Sequence, residues 1–202
     1  MRRLFILAGM LLLAAGTAVA QDYPTTETAP AFMYIRYSPG GGSQDFNCFG
    51  GGGTFAYNLN SWFGVAADMG GCKLTGLADG LSGKSFTYVF GPRLTLRNHS
   101  RFTPFFELNF GGAYLSLTDN IECDDVHREG VPCGENASAN AFALTAGGGF
   151  DYKLTRKISL RPVQAEYLYT RFGNNFLNNA SQNNFRLKSG IVINWGGGSD
   201  LF

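Results

Sequence analysis

Eight stretches of the chain alternate bulky apolar side chains with polar or small ones at every second residue. They lie at about 31–37, 48–58, 62–72, 85–97, 101–116, 139–152, 158–170 and 183–195. The gaps between them come in two kinds. Those after the second, fourth and sixth stretches are very short, near 59–61, 98–100 and 153–157. Those after the first, third, fifth and seventh are long and polar: SPGGGSQDFN, KLTGLADGLSGK, TDNIECDDVHREGVPCGENAS and RFGNNFLNNASQN. Tight turns at one end and long loops at the other are the layout of a spanning barrel with its long loops outside. The expected fold is all-β: an eight-stranded antiparallel up-and-down transmembrane β-barrel. An even strand count places both termini on the periplasmic side.

Period two assigns the faces. The fourth strand sets Phe86, Tyr88, Phe90, Pro92, Leu94 and Leu96 against Thr87, Val89, Gly91, Arg93 and Thr95. The fifth sets Phe106, Leu108, Phe110 and Tyr114 against Glu107, Asn109 and Gly111. The eighth sets Phe185, Leu187, Ile191, Ile193 and Trp195 against Arg186, Lys188, Gly190 and Asn194. The first set of each is too apolar for a wet exterior, and the second too polar for a soluble barrel's core. The bulky face therefore belongs to lipid. Aromatic girdles are expected at both ends. Tyr37, Phe49, Phe86, Tyr114, Phe142, Tyr169 and Phe185 would form the external one, and Tyr57, Phe63, Tyr152 and Trp195 the periplasmic one.

This pattern explains a near-neutral mean hydropathy of −0.05, the average of an apolar face and a polar one. Glycine, 28 of 202 residues, is about twice its usual share, which suits small lumen-facing positions such as Gly91, Gly111 and Gly147. At the N-terminus, Arg2 and Arg3, the apolar run Leu4–Ala15 and the small-x-small site Ala18-Val19-Ala20 have the layout of a secretory signal peptide, residues 1–20. A polar leader, 21–30, the barrel, 31–195, and a tail, 196–202, are expected to follow. Removing the signal changes the net charge from +1 to 14 − 15 = −1. Such a balance does not point to nucleic acid.

Four cysteines suit an oxidising compartment. With the second turn centred near Asn60, directly opposite residues sum to about 120, as Cys48 and Cys72 do, so these two are expected to pair. Cys123 and Cys133 share the third long loop and are expected to bond to each other, although four cysteines allow three connectivities. Their spacings are not those of a metal site, and only His127 lies nearby.

A barrel of eight strands has an interior that side chains can fill. The inward charged candidates are Arg36, Asp68, Arg93, Glu107, Arg161, Glu166, Arg186 and Lys188. A bulge near Pro162 is needed to turn Arg161, Gln164 and Glu166 inward together. Arg93 and Glu107 are expected roughly diagonal to each other. Unpaired charge there would be costly. A network of paired charges closing the lumen is therefore expected; a selectivity filter in a narrow pore is the alternative. Catalytic constellations are poor. His99 lies in a tight turn, and His127 with Asp124 or Asp125 rests on proximity in a long loop. The runs Gly50–Gly53 and Gly147–Gly149 precede no helical pattern and are not phosphate loops. No enzyme activity and no cofactor are expected.

The signal peptide, the phrase ISLRPVQAEYLYTRF at Ile158–Phe172 and the phrase NFRLKSGIVINW at Asn184–Trp195 carry a resemblance. The chain resembles the OmpA-like family of eight-stranded outer-membrane β-barrels, and more closely its exported single-domain members. In the last strand Lys188, Gly190, Ile193 and Trp195 are similar to the family's assembly signal. The resemblance thus implies the barrel-assembly machinery as a partner. Relatives usually end at that aromatic, whereas Gly196–Phe202 follows here, so Phe202 is a second candidate for it. The peptidoglycan-binding domain of longer relatives is not expected. The function expected is that of an integral barrel of the bacterial outer membrane, a monomer among lipids. It would have an envelope-structural role and surface-loop contacts with a ligand, foremost through the 22-residue loop Leu117–Ser138. A narrow passive porin-like channel and a secreted soluble ligand-binding β-barrel are the alternatives.

Overall fold

Alternation with β-branched and aromatic residues favours strands. The computed structural model describes residues 23–38, 45–75, 81–98, 100–119, 136–172 and 181–196. It contains β1 (Thr26–Tyr37), β2 (Phe46–Asn58), β3 (Phe63–Thr75), β4 (Leu81–Thr95), β5 (Phe102–Asp119), β6 (Asn136–Lys153), β7 (Ile158–Phe172) and β8 (Ser181–Trp195). Each strand pairs antiparallel with the next. β8 returns to β1, from Thr26↔Trp195 to Arg36↔Phe185, and closes the barrel. Closure leaves no strand edge unpaired, which is the condition for crossing hydrocarbon with β-structure. No helix among the described residues is long and apolar enough to cross a membrane.

Several strands are longer than their apolar alternation indicates. β1 begins at Thr26, so half of the expected polar leader is strand. β5 runs to Asp119 and β6 starts at Asn136, taking both ends of the third long loop. Polar residues continue the hydrogen-bonded ladder beyond the lipid band, where apolar periodicity is no longer required. β8 ends at Trp195, and Gly196 follows at φ 64°, a left-handed conformation that suits glycine and stops the strand.

The faces separate as period two requires. Phe90, Phe106, Phe110, Tyr167, Phe185 and Ile191 are among many large exposed apolar side chains on the outside. Phe49, Phe86, Tyr114 and Phe142 are exposed toward the external end, and Tyr57, Tyr152 and Trp195 toward the periplasmic end. Tyr169 and Phe63 are half-buried. Tyr37 departs from the expected girdle: it points inward, 3% exposed, and its hydroxyl shares a 2.7 Å hydrogen bond with Ser85. Near Pro162 the register shifts on both sides of β7, between Phe150 and Tyr152 of β6 and between Arg161 and Gln164. Pro162 and Val163 both face out there, while Arg161, Gln164 and Glu166 all face in.

Cys48 and Cys72 form a disulfide with Cα atoms 5.4 Å apart. The expected register is off by two: Cys48 lies opposite Leu74 and Cys72 opposite Gly50. The bond is therefore diagonal, and Gly50 leaves it room. Both sulfurs belong to an inward apolar layer near the external end, with Met33, Ile35, Tyr37, Leu74, Leu115, Leu168 and Phe172. Cys123 and Cys133 fall outside the described residues, as do His99, His127, Asp124 and Asp125. The Cys48–Cys72 bond spans 24 residues, a closure worth roughly 3 kcal/mol in the chain-entropy account. The Cys48→Ala/Cys72→Ala double variant is expected to fold with its urea midpoint in micelles lowered accordingly. An unchanged midpoint would show that the bond adds nothing to stability.

Candidate functional site

Below the apolar layer, inward positions of every strand except β2 bring charge into the lumen in two groups. The upper group joins β3, β7 and β8. Lys188 Nζ lies 2.5 Å from Asp68 Oδ2 and 3.5 Å from Glu166 Oε2. Arg186 places Nε 2.6 Å from Glu166 Oε2 and Nη1 2.9 Å from Asp68 Oδ1. Two cations and two carboxylates thus close a ring. Thr54 donates to Asp68 at 2.8 Å, and Arg186 donates to Thr87 at 3.3 Å.

The lower group joins β1, β4, β5, β6 and β7. Arg93 Nη2 reaches Glu27 at 3.0 Å and Asp151 at 3.2 Å, and its Nη1 lies 3.7 Å from Glu107. Arg161 meets both oxygens of Asp151, at 2.7 and 2.9 Å. This bidentate arrangement matches the planar guanidinium to the carboxylate. Arg97 closes the periplasmic side on Glu27 at 2.6 Å. Phe105 lies between two of these cations, with the Arg93 and Arg161 guanidinium carbons 4.2 and 4.3 Å from its ring centre. The ring's electron-rich face adds its attraction to that of the carboxylates already meeting both cations. This group holds Arg93, Arg97 and Arg161 against Glu27, Glu107 and Asp151, so it is formally neutral, like the ring above it.

Gln164 links the groups. It accepts from Arg161 at 3.0 Å and donates to Glu166 at 3.0 Å and to Glu107 at 3.3 Å. Gly147 pairs with Glu107 on one side and Glu166 on the other. A Cβ there would stand 2.2 Å from the Ala165 carbonyl oxygen, so only glycine fits where β6 passes between the two glutamates. Asp68, Arg93, Glu107, Arg161, Glu166, Arg186 and Lys188 are all within 3% of complete burial.

Arg36 requires a correction. It lies on the outer face at the external end, with its side chain 58% exposed, paired to Asp45 at 2.9 Å. Met33, Ile35 and Tyr37 take the inward positions of β1 instead. The Arg36 guanidinium beside Asp45, outside the strands, holds that carboxyl below its ordinary value by hydrogen bonding. Arg93 and Glu107 are direct partners across β4 and β5, not diagonal ones. Glu27, Arg97 and Asp151 were not among the expected charges. Arg97 keeps the parity of Arg93 and Thr95, and Asp151 that of Thr145, a signal that could have found both. In the last strand Lys188 is committed to the ring, Gly190 is half-buried beside β1, Ile193 is half-buried, and Trp195 is exposed and donates to Thr28 at 3.3 Å.

An apolar depression of about 190 Å³, bordered by Phe55, Tyr57, Val65, Ala67 and Phe90, opens on the outer face. It lies against lipid, not in the lumen. No group of three metal-ligating side chains occurs among the described residues.

A family model described as the outer membrane protein beta-barrel domain matches residues 5–190. The chain belongs to that family. It is an outer-membrane β-barrel protein of a bacterium, and its exposed apolar belt is the surface that meets membrane lipid. The search of curated proteins gave no match. Among solved structures, the fold is similar to Ail, the attachment invasion locus protein of Yersinia pestis. There the TM-score is 0.55 at 14% identity, covering 84% of this chain and 99% of that one. It is similar also to the neisserial surface protein A, with TM-score 0.60 at 13% identity, covering 85% and 97%. A third is OprG from Pseudomonas aeruginosa, with TM-score 0.53 at 14% identity, covering 89% and 100%. At such identities the likeness is one of fold.

Removing one member of a buried ion pair leaves its partner uncompensated, at about 3–5 kcal/mol. Glu166→Ala, which strips Arg186 and Lys188 of a shared carboxylate, is expected to destabilise the barrel on that scale. Arg36→Ala, on the outer face, should stay within about 0.5 kcal/mol. Urea unfolding in micelles measures both, and equal effects would mean that Glu166 is not held in a paired ring.

Proposed function

We propose that this protein is a non-enzymatic outer-membrane barrel whose lumen is closed by its own side chains, with a role in envelope structure and in contacts made by its external loops. The observation that supports closure is the pairing of charge inside. Each of the two lumenal groups is neutral, and their guanidinium groups at Arg93, Arg161 and Arg186 are at most 1% exposed. A conducting pore needs water around such groups, whereas a plug needs counter-charges against them. The apolar layer around the Cys48–Cys72 bond adds a second barrier toward the external end.

The third external loop together with the strand ends that flank it, 117–138, is the proposed contact surface. It carries six acidic residues, Asp119, Glu122, Asp124, Asp125, Glu129 and Glu135, against one arginine, Arg128. Ail has been crystallised with the heparin analogue sucrose octasulfate. The acidic loop here would repel so anionic a ligand, and a neutral or cationic surface is the better match. Cys123 and Cys133 are proposed to pin this loop. Lys188, Gly190, Ile193 and Trp195 are proposed to be read by the assembly machinery before the barrel closes.

Planar-bilayer recording tests the closed lumen. Insertion without steady current steps is expected. Reproducible ohmic steps would replace this reading with that of a narrow passive channel.

A further inference from the structure

The periplasmic end of the barrel carries charge unevenly. The β2–β3 turn, 59–62, has no charged residue, whereas the β4–β5 turn carries Arg97 and Arg101 and the β6–β7 turn carries Arg156 and Lys157. Lys153 ends β6 between them. The two turns adjoin: the Lys153 N–H donates to the Arg101 carbonyl at 2.8 Å, and Phe102 pairs with Tyr152. Of these five cations, only Arg97 meets a carboxylate among the described residues, through Glu27. Arg101, Arg156 and Lys157 are exposed and Lys153 is half-buried. Cations gathered on one arc repel one another and raise the local concentration of anions.

Directly beside that arc the barrel's outer face is apolar. Leu96, Phe102, Leu154 and Ile158 are all exposed, Leu96 at 68%. Aromatic and basic residues together mark the level where a membrane protein leaves hydrocarbon for headgroups. A ligand matching both features needs an anionic group joined to hydrocarbon chains. Because the barrel spans the outer membrane, such a molecule is already in contact with this rim.

We propose that this half of the periplasmic rim binds an anionic phospholipid of the inner leaflet. Arg101, Arg156 and Lys157 hold its phosphate, and Leu96, Phe102, Leu154 and Ile158 take its chains. The site does not depend on the state of the lumen, so it stands whether or not the barrel conducts.

Native mass spectrometry of the full barrel released from micelles tests this, with phosphatidylglycerol and phosphatidylcholine of identical chains offered together. Phosphatidylglycerol is expected to be retained with a preference of roughly fivefold or more, the scale set by a cation facing an anionic lipid. Arg101→Gln/Arg156→Gln/Lys157→Gln should bring the ratio near one. Lys73→Gln/Lys84→Gln, exposed at the opposite end, should leave it unchanged. The substituted turn residues touch no lumenal charge, and heat-shifted gel mobility checks that each variant is folded. Should the triple variant fail to fold, Arg101→Gln and Lys157→Gln singly should each lower the ratio. Equal retention of the two lipids by the parent overturns the proposal. So does a ratio that survives the turn substitutions, or displacement of the lipid by soluble anionic peptidoglycan fragments.

Discussion

A guanidinium enclosed in a barrel that hydrocarbon surrounds costs several kcal/mol unless a carboxylate meets it. That requirement organises the interior of this protein. Arg93, Arg97 and Arg161 are matched by Glu27, Glu107 and Asp151, and Arg186 and Lys188 by Asp68 and Glu166. Matching fixes more than charge. Arg161, Gln164 and Glu166 reach the lumen together only because the β7 register shifts at Pro162. Glu107 and Glu166 approach across β6 only because residue 147 has no side chain. The bulge and the glycine are consequences of where the charges have to be.

The outer face follows from the complementary constraint. Every second residue of each strand meets lipid, so the side chains that a soluble protein would bury, among them Phe90, Phe106, Phe110 and Ile191, are exposed. Strand closure satisfies the backbone that lipid cannot hydrogen-bond. An eight-stranded circumference then leaves an interior of side-chain width, and the interior charges have no room to stay apart. Fold, location and paired lumen are thus linked by geometry.

The sequence was most legible where the two faces differ strongly. In β4, β5 and β8 the alternation of aromatic with charged residues identified the inward set, including Arg93, Glu107, Arg186 and Lys188. It was least legible where both faces are apolar. In β1, Phe32 and Tyr34 alternate with Met33 and Ile35, so period two could not decide which way Arg36 points. Phe105 and Phe106 pose the same ambiguity, and the inward ring between two arginines went unrecognised. Glu27 was missed because the polar residues around it read as a leader, although the ladder already includes them. The cysteine pair followed from hairpin logic, but its register slipped by two because a turn centre is poorly marked in the residues that form it. Beyond the neighbouring pair Arg93 and Glu107, which charges bond to which could not be read, since partners such as Arg93 and Asp151 lie 58 positions apart on strands that are not paired to each other.

The proposed closure of the charge-paired lumen is tested most directly at Thr145, whose side chain points inward and is fully buried. In Thr145→Cys, a membrane-impermeant thiol reagent applied to both sides of vesicle-inserted protein, followed by peptide mapping, reports whether water-borne molecules reach that level. No label at residue 145 in the folded barrel, with full labelling after unfolding in urea, is the result predicted. Rapid labelling from either side would contradict it and mean that the paired charges line an open path.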